Sequence, residues 1–247
     1  MKLILCGACG RMGKTVAECA EQNEIICGVD LYPSPMPFPV YASFSEITEQ
    51  ADAVIDFSSA SGLAERLEYC AKHKLPIVLA ATGYTAEDEE VIAKYAKKIA
   101  VFKTGNLSLG VNVLQLLVKK AAAILEDFDV EIIERHHNQK KDAPSGTALM
   151  LANSVNEGYE NSKEFIYGRH GVIGARDKKE IGIHAVRGGS IVGEHEVMFA
   201  GTDEIITLSH SARSRKVFAT GALKAAKCLI GKPAGLYDMN DMLAGIV

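Results

Sequence analysis

The stretch Lys2-Leu3-Ile4-Leu5-Cys6-Gly7-Ala8-Cys9-Gly10-Arg11-Met12-Gly13 decides the fold. It opens on an apolar run of strand length, and three glycines then break the chain. Beyond them Val16, Ala17 and Ala20 recur at helical spacing across residues 14–22. A strand that passes into a helix through a glycine turn is how a doubly wound α/β sheet begins. Such a turn also suits phosphate: glycines let the backbone approach a pyrophosphate, and free N–H groups at the helix start favour negative charge. Gly7, Gly10, Arg11, Met12 and Gly13 are therefore candidate cofactor contacts, with Arg11 available to a phosphate. The spacing is G-x-x-G-x-x-G and not the strict G-x-G-x-x-G, so the turn by itself says little about the ligand.

The next run supplies context. Ile25-Ile26-Cys27-Gly28-Val29 reads as a second strand, and it ends at Asp30, about 20 residues past Gly10, where an acid can accept hydrogen bonds from an adenosine ribose. The plainer reading is a tight turn followed by a solvated aspartate. Strand, turn, helix and acid in this order favour a dinucleotide. A 2′-phosphate would be repelled by Asp30 unless a cation stood beside it, and the following residues are Leu31 and Tyr32. NADH is thus favoured over NADPH, with dual use left open.

The alternation continues with strands predicted at residues 53–57, 76–80 and 99–102 and helices at 62–74 and 87–98. The Pro-rich residues 32–39 read as a loop. After Gly110 the rhythm stops. A helix is predicted over 113–125, a strand over 130–133, and a helix over 146–155 that begins just after Pro144. Residues 181–210 read as antiparallel strands, and 217–230 as a helix returning to the first domain. The expected architecture is a doubly wound parallel-sheet (Rossmann-type) domain over residues 1–107, completed by 216–247. Residues 108–215 would form a second α+β domain with a mostly antiparallel sheet, for substrate binding and oligomerisation.

Composition sets outer bounds. The 247 residues carry a formal net charge of -4, without the basic excess of a general nucleic-acid binder. Apolar residues make up 48% of the chain, yet no run approaches the roughly 20 residues that a bilayer crossing needs. No secretory signal opens the sequence, so a soluble, cytoplasmic protein is expected. The six scattered cysteines suit a reducing compartment. Cys6-Gly7-Ala8-Cys9 has C-x-x-C spacing, but no second such pair completes a zinc site, and no metal is expected.

Chemistry concentrates in Arg135-His136-His137-Asn138-Gln139-Lys140-Lys141-Asp142-Ala143-Pro144-Ser145-Gly146-Thr147. Three cations flank two imidazoles, and the last residues offer N–H and hydroxyl donors at a helix start, a natural seat for carboxylates. Taken singly, each has a dull reading: a strand-end histidine pair, a solvated lysine face, an ordinary helix start. Together in one short run they point to an anionic substrate that is protonated. His170, His184, His195 and His210 show no partners in sequence and receive no role.

Extended to Glu131 and Ala148, this segment resembles the signature of the 4-hydroxy-tetrahydrodipicolinate reductase family, formerly dihydrodipicolinate reductase. Other blocks are similar in the same order: the opening glycine turn, Asp56-Phe57-Ser58, Thr82-Gly83, Asn106 to Asn112 and Gly235-Leu236-Tyr237-Asp238-Met239. The resemblance implies hydride transfer from NADH or NADPH to a cyclic imine dicarboxylate, with loss of water, in lysine and diaminopimelate biosynthesis. It implies that His136 donates the proton and that Lys140 is the second catalytic group. His137, Lys140, Ser145, Gly146 and Thr147 would hold the carboxylates, with Thr82 and Arg215 reaching substrate or the domain interface. Phe57, Ser58, Thr82, Gly83 and Asn106 would join the cofactor contacts, and the assembly would be a homotetramer. Two competitors remain: another two-domain dehydrogenase acting on an amino acid or semialdehyde, and a non-catalytic NADH-sensing module.

Overall fold

The computed structural model describes residues 1–81 and 83–244. The chain divides into two compact units, Met1–Ser108 with Arg215–Val247, and Leu109–Ser214. The first unit opens with β1 (Lys2–Cys6), α1 (Arg11–Glu18), β2 (Glu24–Val29), β3 (Val40–Tyr41) and β4 (Ala53–Asp56). It continues through α2 (Leu63–His73), β5 (Ile77–Leu79), α3 (Ala86–Ala96) and β6 (Ala100–Lys103). The middle strands are short unbroken apolar runs, because helices cover both faces of a parallel sheet. Ile4, Val54 and Leu79 are fully buried accordingly.

Helix starts follow local chemistry. Thr85 and Asp88 cap each other's backbone at the head of α3, one residue before the sequence reading began that helix. α1 differs: its N-cap is Gly10, and no side chain closes its first turn.

The second unit holds α4 (Leu109–Ile124), β7 (Asp129–His136), α5 (Gly146–Gly158), β8 (Glu164–Tyr167), β9 (Glu180–Arg187), β10 (Gly193–Ala200) and β11 (Ile205–Ala212). Its sheet runs β11-β10-β7-β9-β8. The β7–β10–β11 side is antiparallel, with a short turn joining β10 to β11. The β7–β9–β8 side is parallel, which makes the sheet mixed. Strand β8 gave no clear sequence signal. The twelve residues 168–179 that join it to β9 are long enough for a parallel crossover.

Apolar residues of α4 and α5, including Leu114, Val118, Leu151 and Val155, pack with Val130, Ile132, Ile183 and Phe199 of the sheet. The chain then returns to the first unit as α6 (Lys216–Leu229), β12 (Gly235–Tyr237) and α7 (Met239–Ala244). There α6 packs on α1 and on β4, β5 and β6, and β12 extends the sheet beside β6. The completed order β12-β6-β5-β4-β1-β2-β3 is parallel throughout and reverses at β1. Loops leaving the carboxyl ends of β1 and β4 therefore meet at the switch point, where doubly wound sheets take their ligands.

Strand β7 corrects the expected boundary. It does not stop at Ile133 but runs on to His136, so the period of two carries Glu134 and His136 to the face shared by Val130 and Ile132. The opposite face bears Glu131, which meets Arg169 at 2.9 Å, Arg176 at 3.0 Å and His184 at 2.7 Å. Burial pushes the Glu131 carboxyl up, but those hydrogen bonds outweigh it and bring it down to about 2. A depressed carboxyl adds stability that is complete above its ordinary value near 4.5 and vanishes as pH falls toward 2. The contribution at neutral pH is on the order of 3 kcal/mol. Unfolding free energies of wild type and Glu131→Gln should therefore converge between pH 4.5 and 2; a gap that does not change with pH would remove the assignment.

Candidate active site

In the second unit, strand register gathers the polar groups. Parallel pairing sets Arg187 beside His136, and antiparallel pairing sets His195 beside Glu134. Glu134 is fully buried. Its carboxylate lies 2.6 Å from His136 Nδ1, accepts both arms of the Arg187 guanidinium at 2.7 Å, and accepts the Ser145 N–H at 3.0 Å. Burial raises the Glu134 carboxyl, but the bonds from Arg187, His136 and Ser145 together hold it below the ordinary carboxylate range.

His195 stands edge-on to His136, with ring centroids 5.1 Å apart, and its Nε2 is 3.0 Å from Ser145 Oγ. Burial first, and then the charge of His136, push its imidazole down to about 4. It is neutral at neutral pH. Its role was not visible in the sequence, because its partners lie on β7 and at the head of α5, far away along the chain.

Ser145 caps α5 by accepting the Ala148 N–H at 3.1 Å. Pro144 consequently lies outside the helix, one residue before the cap, and not in its first turn. With its N–H given to Glu134 and its Oγ shared between Ala148 and His195, Ser145 keeps at most a hydroxyl proton for a ligand. Gly146, the first helical residue, is exposed, and a Cβ there would meet nothing within 4 Å. Packing does not demand a glycine at that position, and a ligand has room to reach the backbone. Thr147 and His137 are half-buried nearby in sequence.

The three cations are not one cluster. Arg135 points to the other sheet face and pairs with Glu196 at 3.3 Å. Lys141 is exposed. Lys140 is largely covered and meets the exposed Asp142 at 2.9 Å.

The first unit has its own site at the sheet switch point. Gly7 adopts φ +70°, and a Cβ there would lie 2.9 Å from the Phe57 backbone. A Cβ on Gly13 would come within 2.2 Å of the Gly7 carbonyl. Both positions therefore need glycine for the turn and the α1 start to nest. Asp30 accepts the Cys9 N–H at 2.9 Å and the Tyr32 N–H at 3.1 Å, which fixes its carboxylate at the mouth of the turn. It makes no ion pair among the described residues. Leu31 and Tyr32 beside it are exposed.

Behind the β4 loop, Arg66 meets Asp56 at 2.7 Å and donates to the carbonyls of Ser59 and Ser61. Ser58 donates its N–H to Asp56 at 2.9 Å. Asn106 is buried, and its Oδ1 accepts the Ser108 N–H at 2.8 Å. Gly83 takes a positive φ in an exposed turn, and Arg215 is exposed at the head of α6. Thr82 lies outside the described residues. Cys6 is buried with its thiol pushed up by burial, and Cys9 is a free thiol on the glycine turn. Among the described residues, no group of three His, Cys, Asp or Glu could hold a metal ion. No helix there is long and apolar enough to cross a membrane.

An uncapped glycine turn on a doubly wound parallel sheet, and in the same chain a separate mixed sheet with a buried acid–imidazole pair, define the class as a two-domain oxidoreductase using a pyridine dinucleotide. Known proteins narrow it. The family description "Dihydrodipicolinate reductase, N-terminus" matches residues 1–107, and "Dihydrodipicolinate reductase, C-terminus" matches residues 110–243. The 4-hydroxy-tetrahydrodipicolinate reductase of Caldanaerobacter subterraneus subsp. tengcongensis is 51% identical over 246 residues, covering 98% of each chain. That of Clostridium tetani is 46% identical, covering 98% of this chain and 97% of its own. The chain belongs to the 4-hydroxy-tetrahydrodipicolinate reductase family.

Solved structures agree on the fold. A dipicolinate-bound dihydrodipicolinate reductase from Paenisporosarcina sp. TG-14 superposes with a TM-score of 0.81 at 24% identity, over 97% of this chain and 98% of that one. A probable dehydrogenase from Thermotoga maritima reaches 0.62 at 14% identity, over 100% of this chain and 93% of its own.

Proposed function

We propose that this chain reduces 4-hydroxy-tetrahydrodipicolinate to tetrahydrodipicolinate, and that it favours NADH over NADPH. The observation that carries the reading is the His136–Glu134 pair next to the open start of α5, a proton donor beside an anion seat at the carboxyl end of the central strand β7. Family membership supplies the reaction, which belongs to lysine and diaminopimelate biosynthesis.

In the first unit the unclosed start of α1, with Gly7, Gly10, Arg11, Met12 and Gly13, fits a pyrophosphate. Asp30 would receive the ribose hydroxyls, and Phe57, Ser58, Thr82, Gly83 and Asn106 would line the remainder of the dinucleotide. The reduced nicotinamide supplies hydride when bound. The chain's own residues do the rest. Gly146 and Thr147 at the α5 start, with His137 and Lys140, would hold the two carboxylates, and Arg215 would add a cation to the substrate. Ser145 contributes from beneath by fixing Glu134 and capping α5.

The hydroxyl leaves the ring as water, hydride then adds to the unsaturated carbon so formed, and the negative charge this leaves on the ring is quenched by a proton from His136. The Lys140 ammonium stabilises that charge as it develops. Its partner Asp142 is exposed, so a dianionic ligand can take its place. A homotetramer in the cytoplasm is the expected form. The edge strand β11 leaves Ile205 and Ile206 exposed, and such edges need covering; a monomer in sedimentation would remove that expectation.

The test supplies the condensation product of pyruvate and aspartate semialdehyde and follows absorbance of either cofactor. Turnover should be faster with NADH at limiting cofactor. Asp30→Ala should narrow the NADH to NADPH ratio of kcat/KM about tenfold, the worth of about 1.4 kcal/mol. No turnover with either cofactor would end the functional reading. An unchanged ratio in the variant would end the role of Asp30.

A further inference from the structure

We propose that Glu134 is a positioning residue that fixes His136 as the Nδ1–H tautomer, so that the transferred proton leaves from Nε2. This rests on the reading of His136 as proton donor. A carboxylate offers about four acceptor positions and, when ionised, no donor. All four are taken. Oε1 accepts the Ser145 N–H and Arg187 Nη2; Oε2 accepts Arg187 Nη1 and faces His136 Nδ1 at 2.6 Å. The guanidinium is always charged and grips the carboxylate with both arms, an arrangement that keeps it ionised.

An ionised oxygen only accepts, so Nδ1 must carry hydrogen whether the ring is charged or neutral. The ring can then gain and lose a proton only at Nε2. The same tautomer logic governs histidines oriented by a buried carboxylate in other active sites.

Two further features agree. Gly193 on β10 faces the other edge of the ring, and a Cβ there would lie 3.1 Å from Nε2 and 3.4 Å from Cδ2. Its φ is not in the left-handed region, so the backbone does not require glycine; a side chain there would crowd Nε2. Arg187 Nη2 also donates to the Asp142 carbonyl at 2.7 Å, which ties the loop carrying Lys140 to the same brace. Arg187, Glu134 and Gly193 thereby set where the proton sits and what surrounds it.

A purely structural brace would make a different forecast, and nitrogen NMR separates the two. The full-length protein is labelled with 15N-histidine, and long-range 1H–15N spectra are recorded at alkaline pH; the His136 signals are those missing from His136→Gln. Wild type should show His136 as Nδ1–H, and Glu134→Gln, whose amide can present N–H to the ring, should lose that tautomer. The kcat should fall about 100-fold with the KM for NADH unchanged, at the upper end of losses for partners of this kind. Glu134→Asp, which keeps the acceptor, should retain Nδ1–H and more of kcat than the amide.

Should the single variant fail to fold, Glu134→Gln with Arg187→Gln removes the uncompensated charge and is read the same way. Nε2–H in wild type, or kcat within twofold in the glutamine variant, overturns the proposal while leaving His136 as donor. Wild-type turnover in His136→Gln overturns the donor reading itself and the proposal with it.

Discussion

His136→Gln is expected to cut kcat about 100- to 10,000-fold, the range in which a positioned general acid contributes. Glutamine is close to histidine in reach and can still hydrogen-bond to Glu134, so packing beneath the site survives. Its amide cannot give up a proton near neutrality. Affinity for the dinucleotide should change little, because the glycine turn and Asp30 belong to the other folding unit. Steady-state absorbance of NADH gives kcat, and quenching of cofactor fluorescence gives its Kd. A variant that turns over within fivefold of wild type would show that water or another group delivers the proton.

Arg66→Met should destabilise the first unit by about 3–5 kcal/mol, because it strands a buried carboxylate. Asp56 is fully buried, and the Arg66 side chain is 7% exposed, so solvent cannot take over from the missing guanidinium. Methionine fills much of the same volume, which limits the cavity contribution. The loss corresponds to a Tm lower by on the order of 10 °C for a chain of this size. The loop after β4 also loses its ties at Ser59 and Ser61, so KM for the dinucleotide should rise as well. Pairing the change with Asp56→Asn should restore part of the stability, since the two residues share one interaction. Equal melting of wild type and Arg66→Met would mean that the pair contributes nothing.

The doubly wound half was legible because each of its elements carries its own local pattern. The strands expected at residues 2–6, 53–57 and 76–80 became β1, β4 and β5 within a residue or two. The short β3 and β12 escaped because two- or three-residue edge strands have no period to detect. In the second unit the end of β7 was misjudged because Glu134, Arg135 and His136 look like loop residues. Their alternation resolves only once Arg135 can pair with Glu196 and Glu134 with Arg187 on the neighbouring strands.

Local periodicity was enough to determine the fold class and the glycine turn, and the short motifs were enough to single out Asp30, His136 and Lys140 as candidates, since each depends on residues close in sequence. Tertiary structure alone decided the surroundings of His136. Arg187 is 53 residues from Glu134, and His195 is 50 residues from Ser145; only strand register brings them together. No spacing rule encodes register across separate strands, because it is set by which faces bury and how the crossovers return. That is why His136 could be singled out from the chain as the candidate proton donor, while the groups packed around it could not.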